Sequence, residues 1–389
     1  MNGSSSVQFR LVVTQTEALG QKPGEGVDFK INPISPVKYF KPKKHYLHTS
    51  QPLFAMKNFL GFLLLVVFAF SCTESQHEKE ISSIETVTGP ISIDSLGLTL
   101  IHEHLLVDFI GADSVSLDRW DRDSVVQKVL PYLMEVKKFG VKTILECTPS
   151  FLGKDPILLQ QLSEKSGIQI LTNTGYYGAV EGKYLPAHAF SETAEQLSER
   201  WIAELENGIG ETGIKPAFIK ISVNESELLS PIDQKLVKAA GLTHQKSGLT
   251  IASHTGTWKT AAQEVTILQE MEIDPSAFVW VHAQAEEDFQ NYQRAADLGV
   301  WISLDGIGWR LTPYVDRLIY AKENGFLDQV LISHDAGWYD PSQAGGGEFQ
   351  PFTNIFEELI PILNERGFSR EDWNQLLIEN PKQAFGGGL

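Results

Sequence analysis

The chain has 389 residues, 42% hydrophobic and 21% charged, a globular composition long enough for one large domain or two ordinary ones. A net charge of −17 argues against a nucleic-acid partner. Two cysteines, Cys72 and Cys147, are too few for a disulfide framework.

The charge is uneven: residues 1–55 carry +4 and the remainder −21. Residues 1–55 show no clear period and include NPISPVKYFKPKKHY. Residues 56–72 then read MKNFLGFLLLVVFAFSC, a Met-Lys start, an apolar run from Phe59 to Phe70, and Ser71-Cys72. That is the order of a secretory signal, and the run is shorter than the ~20 apolar residues of a transmembrane helix. The Ser-Cys end resembles the lipobox of bacterial lipoproteins, in which the cysteine becomes the lipidated first residue. The expected organisation is an extension over 1–55, with Met56 as the natural start, a lipoprotein-type signal over 56–72 and a polar tether over 73–95. It implies export to the periplasm or outer membrane, held by a lipid anchor at Cys72. The alternative is an internal buried helix after a disordered basic arm.

From residue 96 onward, strand-like and helix-like segments alternate. LTLIHEHLLVDF reads as the first strand, 122–139 as a helix and VKTILECTP as the second strand. DPILLQQLSEKSG is a helix ending on Gly167, and IQILTNTGYY is the third strand. SETAEQLSERWIAELENGI is a longer helix, with Ser191 and Glu192 in its first turn. PAFIKIS, LTIASHTG, AFVWVHA, VWISLDGIG and VLISHDAGW are strands four to eight, each preceded by a helical stretch. Two helical segments, around 352–367 and 369–385, close the chain. Alternation of this kind implies parallel pairing. Eight units fit an α/β (β/α)8 TIM barrel better than an open doubly wound sheet, and no Gly-x-Gly-x-x-Gly follows strand one.

A barrel of this type places its active site at the C-terminal ends of its strands. The unusual polar residues fall there. His102 and His104 share one face of strand one, with Glu103 on the other, because side chains alternate along a strand. Lys220, His254, His282 and Asp335 lie late in strands four, five, six and eight. Each alone has an ordinary explanation: a core histidine with its hydrogen bonds met, a lysine stem reaching solvent, an aspartate capping a turn. Together they converge on one cavity. Four imidazoles and a carboxylate exceed what one tetrahedral zinc takes from protein and suit two metals sharing a site. An ammonium cannot ligate a metal, but burial favours a neutral lysine, and a neutral amine takes up CO2 to form a carbamate with an oxygen for each metal.

The motifs GLTLIHEHL, GIKPAFIKIS, TIASHTG, VWVHA, LISHDAGW and NPKQAF make residues 96–386 resemble the phosphotriesterase family of the amidohydrolase superfamily, its lactonase and esterase branch in particular. The resemblance implies that His102, His104 and Asp335 hold a more buried metal. It makes His254 and His282 ligands of a more exposed metal, and Lys220 the bridging carbamate. It also turns Tyr177, in TNTGYY, toward the metals. Two divalent ions are implied, Zn2+ foremost, with Mn2+, Co2+ or Fe2+ also suited to the donors. The implied reaction is hydrolysis of a small-molecule lactone or carboxylic ester by a metal-bridging hydroxide, with Asp335 taking its proton. A phosphotriester is the alternative substrate and an amide the third. Two rivals are a mononuclear hydrolase and a non-catalytic, surface-anchored binding lipoprotein. A homodimer is ordinary for such a barrel. HAQAEED stands where the family often has an Asp-rich turn, and the loops DGIGWRLTPY and WYDPSQAGGGEFQPF are this chain's own.

Overall fold

The computed structural model describes residues 83–308 and 311–386. The expected extension (1–55), the expected signal (56–72) with the lipid anchor expected at Cys72, and the first part of the expected tether lie outside the described residues.

A short hairpin, β1 (Ser83–Ile84) with β2 (Ile91–Ser92), opens the described chain. Ile84, Val87, Ile93 and Leu96 are buried, and the Val87 N–H donates to Ile170 O at 2.9 Å. Residues 83–95 therefore pack as part of the domain, so the expected tether ends earlier than residue 95.

The strands that follow are β3 (Leu98–Leu106), β4 (Val141–Glu146), β5 (Gln169–Leu171), β6 (Asn173–Thr174), β7 (Phe218–Ser222), β8 (Ile251–His254), β9 (Phe278–Val281), β10 (Trp301–Leu304), β11 (Val330–Ile332) and β12 (Gly337–Tyr339). All neighbours from β3 to β12 pair in parallel. Two pairs are single barrel strands interrupted once: β5–β6 at Thr172, and β11–β12 at residues 333–336. β12 pairs with β3, Gly337 opposite His104, which closes the ring as a (β/α)8 TIM barrel. At Gly337 the approach is so close that a Cβ would meet His104 O at 1.9 Å, with φ at 102°. Only glycine fits there.

The helices stand where the sequence places them, each fixed by local chemistry. Asp121 caps α1 (Arg122–Lys137), and Asp155 with Pro156 starts α2 (Pro156–Ser166), which ends on left-handed Gly167. One start differs. α4 (Ala194–Asn207) follows a separate short helix, α3 (Ala187–Ser191), and begins at a capping box between Thr193 and Gln196. Ser191 and Glu192 precede it, because Thr193 satisfies the free N–H groups two residues later.

Inside the barrel Ile101, Leu145, Leu171, Phe218, Ala252, Val279, Trp301 and Leu331 form an apolar floor, closed below by Leu96 and Phe385. The layer between strands and helices is a second, larger core containing Leu133, Trp201, Leu236 and Trp280. Polar side chains stand above this floor and form the site.

Candidate active site

Each polar side chain reaches the cavity above the floor by an identifiable backbone device. In β3 a register shift between Leu100 and Glu103 lets Ile101 join the floor while His102 and His104 rise together above it. Their Nε2 atoms lie 3.3 Å apart. Lys220 and His254 follow simple alternation, standing two residues beyond floor residues Phe218 and Ala252. His282 and Asp335 instead sit just past their strands with left-handed backbones, φ 63° and 51°. Such angles are uncommon outside glycine, and clustering of two at one site marks a functional geometry.

The structure brings all the sequence-selected ligands into one cluster. Asp335 Oδ1 is 3.2 Å from His104 Nε2 and 3.6 Å from His102 Nε2. The His254 and His282 rings stand edge to face at 4.3 Å, and the His102 and His282 rings are tilted, 5.1 Å apart. Tyr177 closes one side, its hydroxyl 3.1 Å from His254 Nε2.

The sequence reading missed one central residue. Asp305, fully buried just past β10, spans two histidines: Oδ2 lies 3.2 Å from His102 Nδ1, and Oδ1 lies 2.7 Å from His282 Nδ1. Ser303 Oγ, the His282 N–H and Gln284 Nε2 also donate to it. Its signal was an aspartate at a strand end, but Asp-Gly reads first as a turn.

These contacts fix the tautomers. An ionised Asp305 only accepts, so His102 and His282 each carry a proton on Nδ1. Thr148 Oγ1 donates to Leu106 O and therefore accepts from His104 Nδ1, at 2.8 Å. Three imidazoles thus present bare Nε2 lone pairs to the same space. Lone pairs converging beside a carboxylate repel one another unless a cation lies among them.

The ionisation pattern agrees at His102 and His254 and runs the other way at His282. Burial lowers His102 to about 4, outweighing the attraction of Asp305 and Asp335. Burial, then the neighbouring His282 and Lys220 charges, takes His254 well below its ordinary value. For His282 burial acts downward, but Asp305 overcomes it and the net shift is up. Burial acts upward on Asp335, yet the imidazoles that surround it, His104 first, bring it down to about 2. Burial also lowers Lys220, whose Nζ is enclosed with no hydrogen-bond partner.

That orphaned amine is the strongest test of fit. A buried ammonium with no acceptor is expensive, whereas a neutral amine or its carbamate is at home beside metal ions. Two overlapping sets among the described residues could hold a cation: His102, His104 and Asp335, and His102, His282 and Asp305. Asp305 commits an oxygen to each histidine Nδ1, so it serves the second set best as an orienting group.

The model of the phosphotriesterase family matches residues 82–385. The chain belongs to the phosphotriesterase family. Similar proteins include a phosphotriesterase homology protein of Escherichia coli, 28% identical, covering 76% of this chain and 100% of that protein. An aryldialkylphosphatase of Saccharolobus solfataricus is 27% identical over 77% of this chain and 98% of its own length. An N-acetyltaurine hydrolase of Danio rerio is 25% identical over 77% of this chain and 97% of its own. Membership makes this protein a hydrolase on the TIM-barrel frame described above, in a family that depends on metal ions.

Proposed function

We propose that this chain hydrolyses a lactone or other carboxylic ester with two divalent metal ions held by His102, His104, His254, His282, Asp335 and a carbamylated Lys220. The observation that carries this is the buried, partnerless Nζ of Lys220, within electrostatic reach of His102, His254, His282, Asp305 and Asp335. A single-metal hydrolase would give such a lysine no purpose. A binding protein without chemistry would have no need of every ligand position being filled.

Metal ions bound here would polarise the substrate carbonyl and bring the pKa of the attacking water toward ~7. The chain's own residues do the rest. Lys220, its amine pushed by burial toward the neutral form, adds its nitrogen to CO2, and one proton leaves as the N–C bond forms. Asp335, an acceptor at neutral pH, receives the proton of the attacking water. Asp305 holds His102 and His282 in one tautomer throughout. Tyr177 keeps its phenolic proton, since burial raises its pKa, and so has a donor available beside His254.

The surrounding wall favours an apolar acyl group. Trp338 stands edge-on to His104 at 5.5 Å and meets Phe109 at 5.5 Å, while Tyr177 meets Tyr184 at 5.7 Å. Phe109 and Tyr177 pack on one small cluster of Val107, Leu152 and Tyr184. A phosphotriester is the second reading, favoured by the similarity to the aryldialkylphosphatase. An amide is the third, given the N-acetyltaurine hydrolase.

The test is a hydrolysis panel of γ- and δ-lactones, aryl esters and one aryl phosphotriester. Each is measured with and without added Zn2+ or Mn2+, beside Lys220→Ala. Metal-dependent turnover of a lactone or ester well above the phosphotriester is expected. Faster phosphotriester turnover would reverse the order of substrates, and no turnover with metal bound would favour the binding protein.

A further inference from the structure

Glu103 lies between two of the candidate ligands on β3 and points away from both. Its carboxylate is fully buried, and every hydrogen bond it makes goes to one turn. Oε1 accepts from Ser333 Oγ (2.8 Å), the His334 N–H (3.1 Å) and His334 Nδ1 (2.8 Å). Oε2 accepts from the Ala336 N–H (3.0 Å). His334 Nε2 accepts from the Ile355 N–H at 3.1 Å, so its proton sits on Nδ1 and His334 can only donate to Glu103. Donors therefore grip the carboxylate from both sides of Asp335, the residue in the turn whose φ is 51°.

We propose that Glu103 is a positioning residue for Asp335, its carboxylate holding the 333–336 turn in the left-handed form that aims Asp335 Oδ1 at His104 and His102. The proposal rests on the metal-site reading above. Closing the barrel does not require Glu103. Backbone bonds already join the strands here, from Asp335 N to His102 O (3.1 Å) and from His104 N to Ala336 O (2.9 Å). What four further bonds to one carboxylate add is orientation of the residue between them. The strand that supplies two ligands thus also clamps the third, through the face its ligands do not use. A related arrangement flanks His254, where buried Glu264 accepts from Ser253 and Thr255, both at 2.5 Å.

Glu103→Gln isolates the effect. Its single carbonyl oxygen can serve the three donors at Oε1, but its amide then faces the Ala336 N–H, donor against donor. Ser333→Ala is the milder variant, removing one donor to Glu103 and with it the hydroxyl that accepts from the His102 N–H at 3.0 Å. The experiment titrates Zn2+ into the metal-stripped full chain by calorimetry and follows thermal unfolding of the same metal-free samples. In Glu103→Gln, one of the two binding equivalents is expected to weaken by about 10- to 100-fold, the range for lost orienting groups, and the other by less than about threefold. Ser333→Ala should weaken the same equivalent by a smaller factor. Binding unchanged in Glu103→Gln, or both equivalents weakened alike alongside a drop in metal-free melting temperature, would overturn the proposal. If Glu103→Gln fails to fold, Ser333→Ala decides: unchanged binding there overturns it. A parent chain that takes up no Zn2+ would overturn the metal-site reading and the proposal with it, an outcome visible before any variant is compared.

Discussion

Replacing Lys220 with methionine should make the metal-free protein more stable while abolishing its activity. Lys220 is 1% exposed, and its Nζ has no hydrogen-bond partner. Leaving one buried donor unsatisfied costs ~1–3 kcal/mol. Methionine has nearly the same length and no donor, so Lys220→Met removes that cost and leaves no cavity of note. Asp305 and Asp335 attract the lysine, but both retain histidine partners without it. The gain should be ~1–2 kcal/mol, a rise in melting temperature of ~2–6 °C for a domain of this size. Activity should fall by about 100-fold or more, since the side chain that would join the two metals is gone. The assay is calorimetry of chelator-stripped parent and variant, with hydrolysis measured after reloading. A metal-free variant that melts at or below the parent temperature would refute the claim that Lys220 is held at a cost to stability for the sake of the site.

Other changes have equally definite outcomes. Asp305→Asn should weaken metal binding ~10- to 100-fold, because one amide cannot accept from both Nδ1 protons; an unchanged binding isotherm would count against its bridging role. Asp335→Asn should keep the fold, measured by circular dichroism, and reduce kcat by about 10²- to 10⁴-fold, while near-normal turnover would refute its part in proton transfer. Burial pushes the Glu264 carboxyl up to about 8, whereas in the unfolded chain it titrates near ~4.3. Between those values the folded state holds a proton that the unfolded chain has released. This contribution is therefore fully present at low pH and is lost as pH rises through the window, by ~1.4 kcal/mol per pH unit. Glu264→Gln removes it, so urea unfolding of the metal-free variant between about pH 5.5 and 7.5 should show a flatter decline than the parent, and parallel profiles would contradict the assignment.

The barrel and several of its inward-facing polar residues were legible in the sequence because both follow from short-range periodicity. Phe218 and Lys220, or Ala252 and His254, are two apart, so a floor residue and a ligand share the inward face once the strand is recognised. His282 and Asp335 are different. They reach the cavity through positive φ angles that no non-glycine residue announces, and only the company of the other ligands pointed to them. Asp305 stands at the head of the loop DGIGWRLTPY, and its two histidine partners are 203 and 23 residues away, beyond the reach of local pattern. Glu103 was placed on the correct face of β3, yet its role depends on a turn 230 residues distant. The start of the domain was misjudged for a local reason: the hairpin at 83–92 has strands of two residues each, too short to show a period.

The most direct test of the central claim is turnover of a δ-lactone by the chain stripped of metal and then reloaded with Zn2+, run in the parent and in Lys220→Ala. Turnover should vanish on stripping, return on reloading, and stay absent in Lys220→Ala at every metal concentration. Turnover that survives stripping, or that persists without Lys220, would contradict a metal-dependent site built around this lysine.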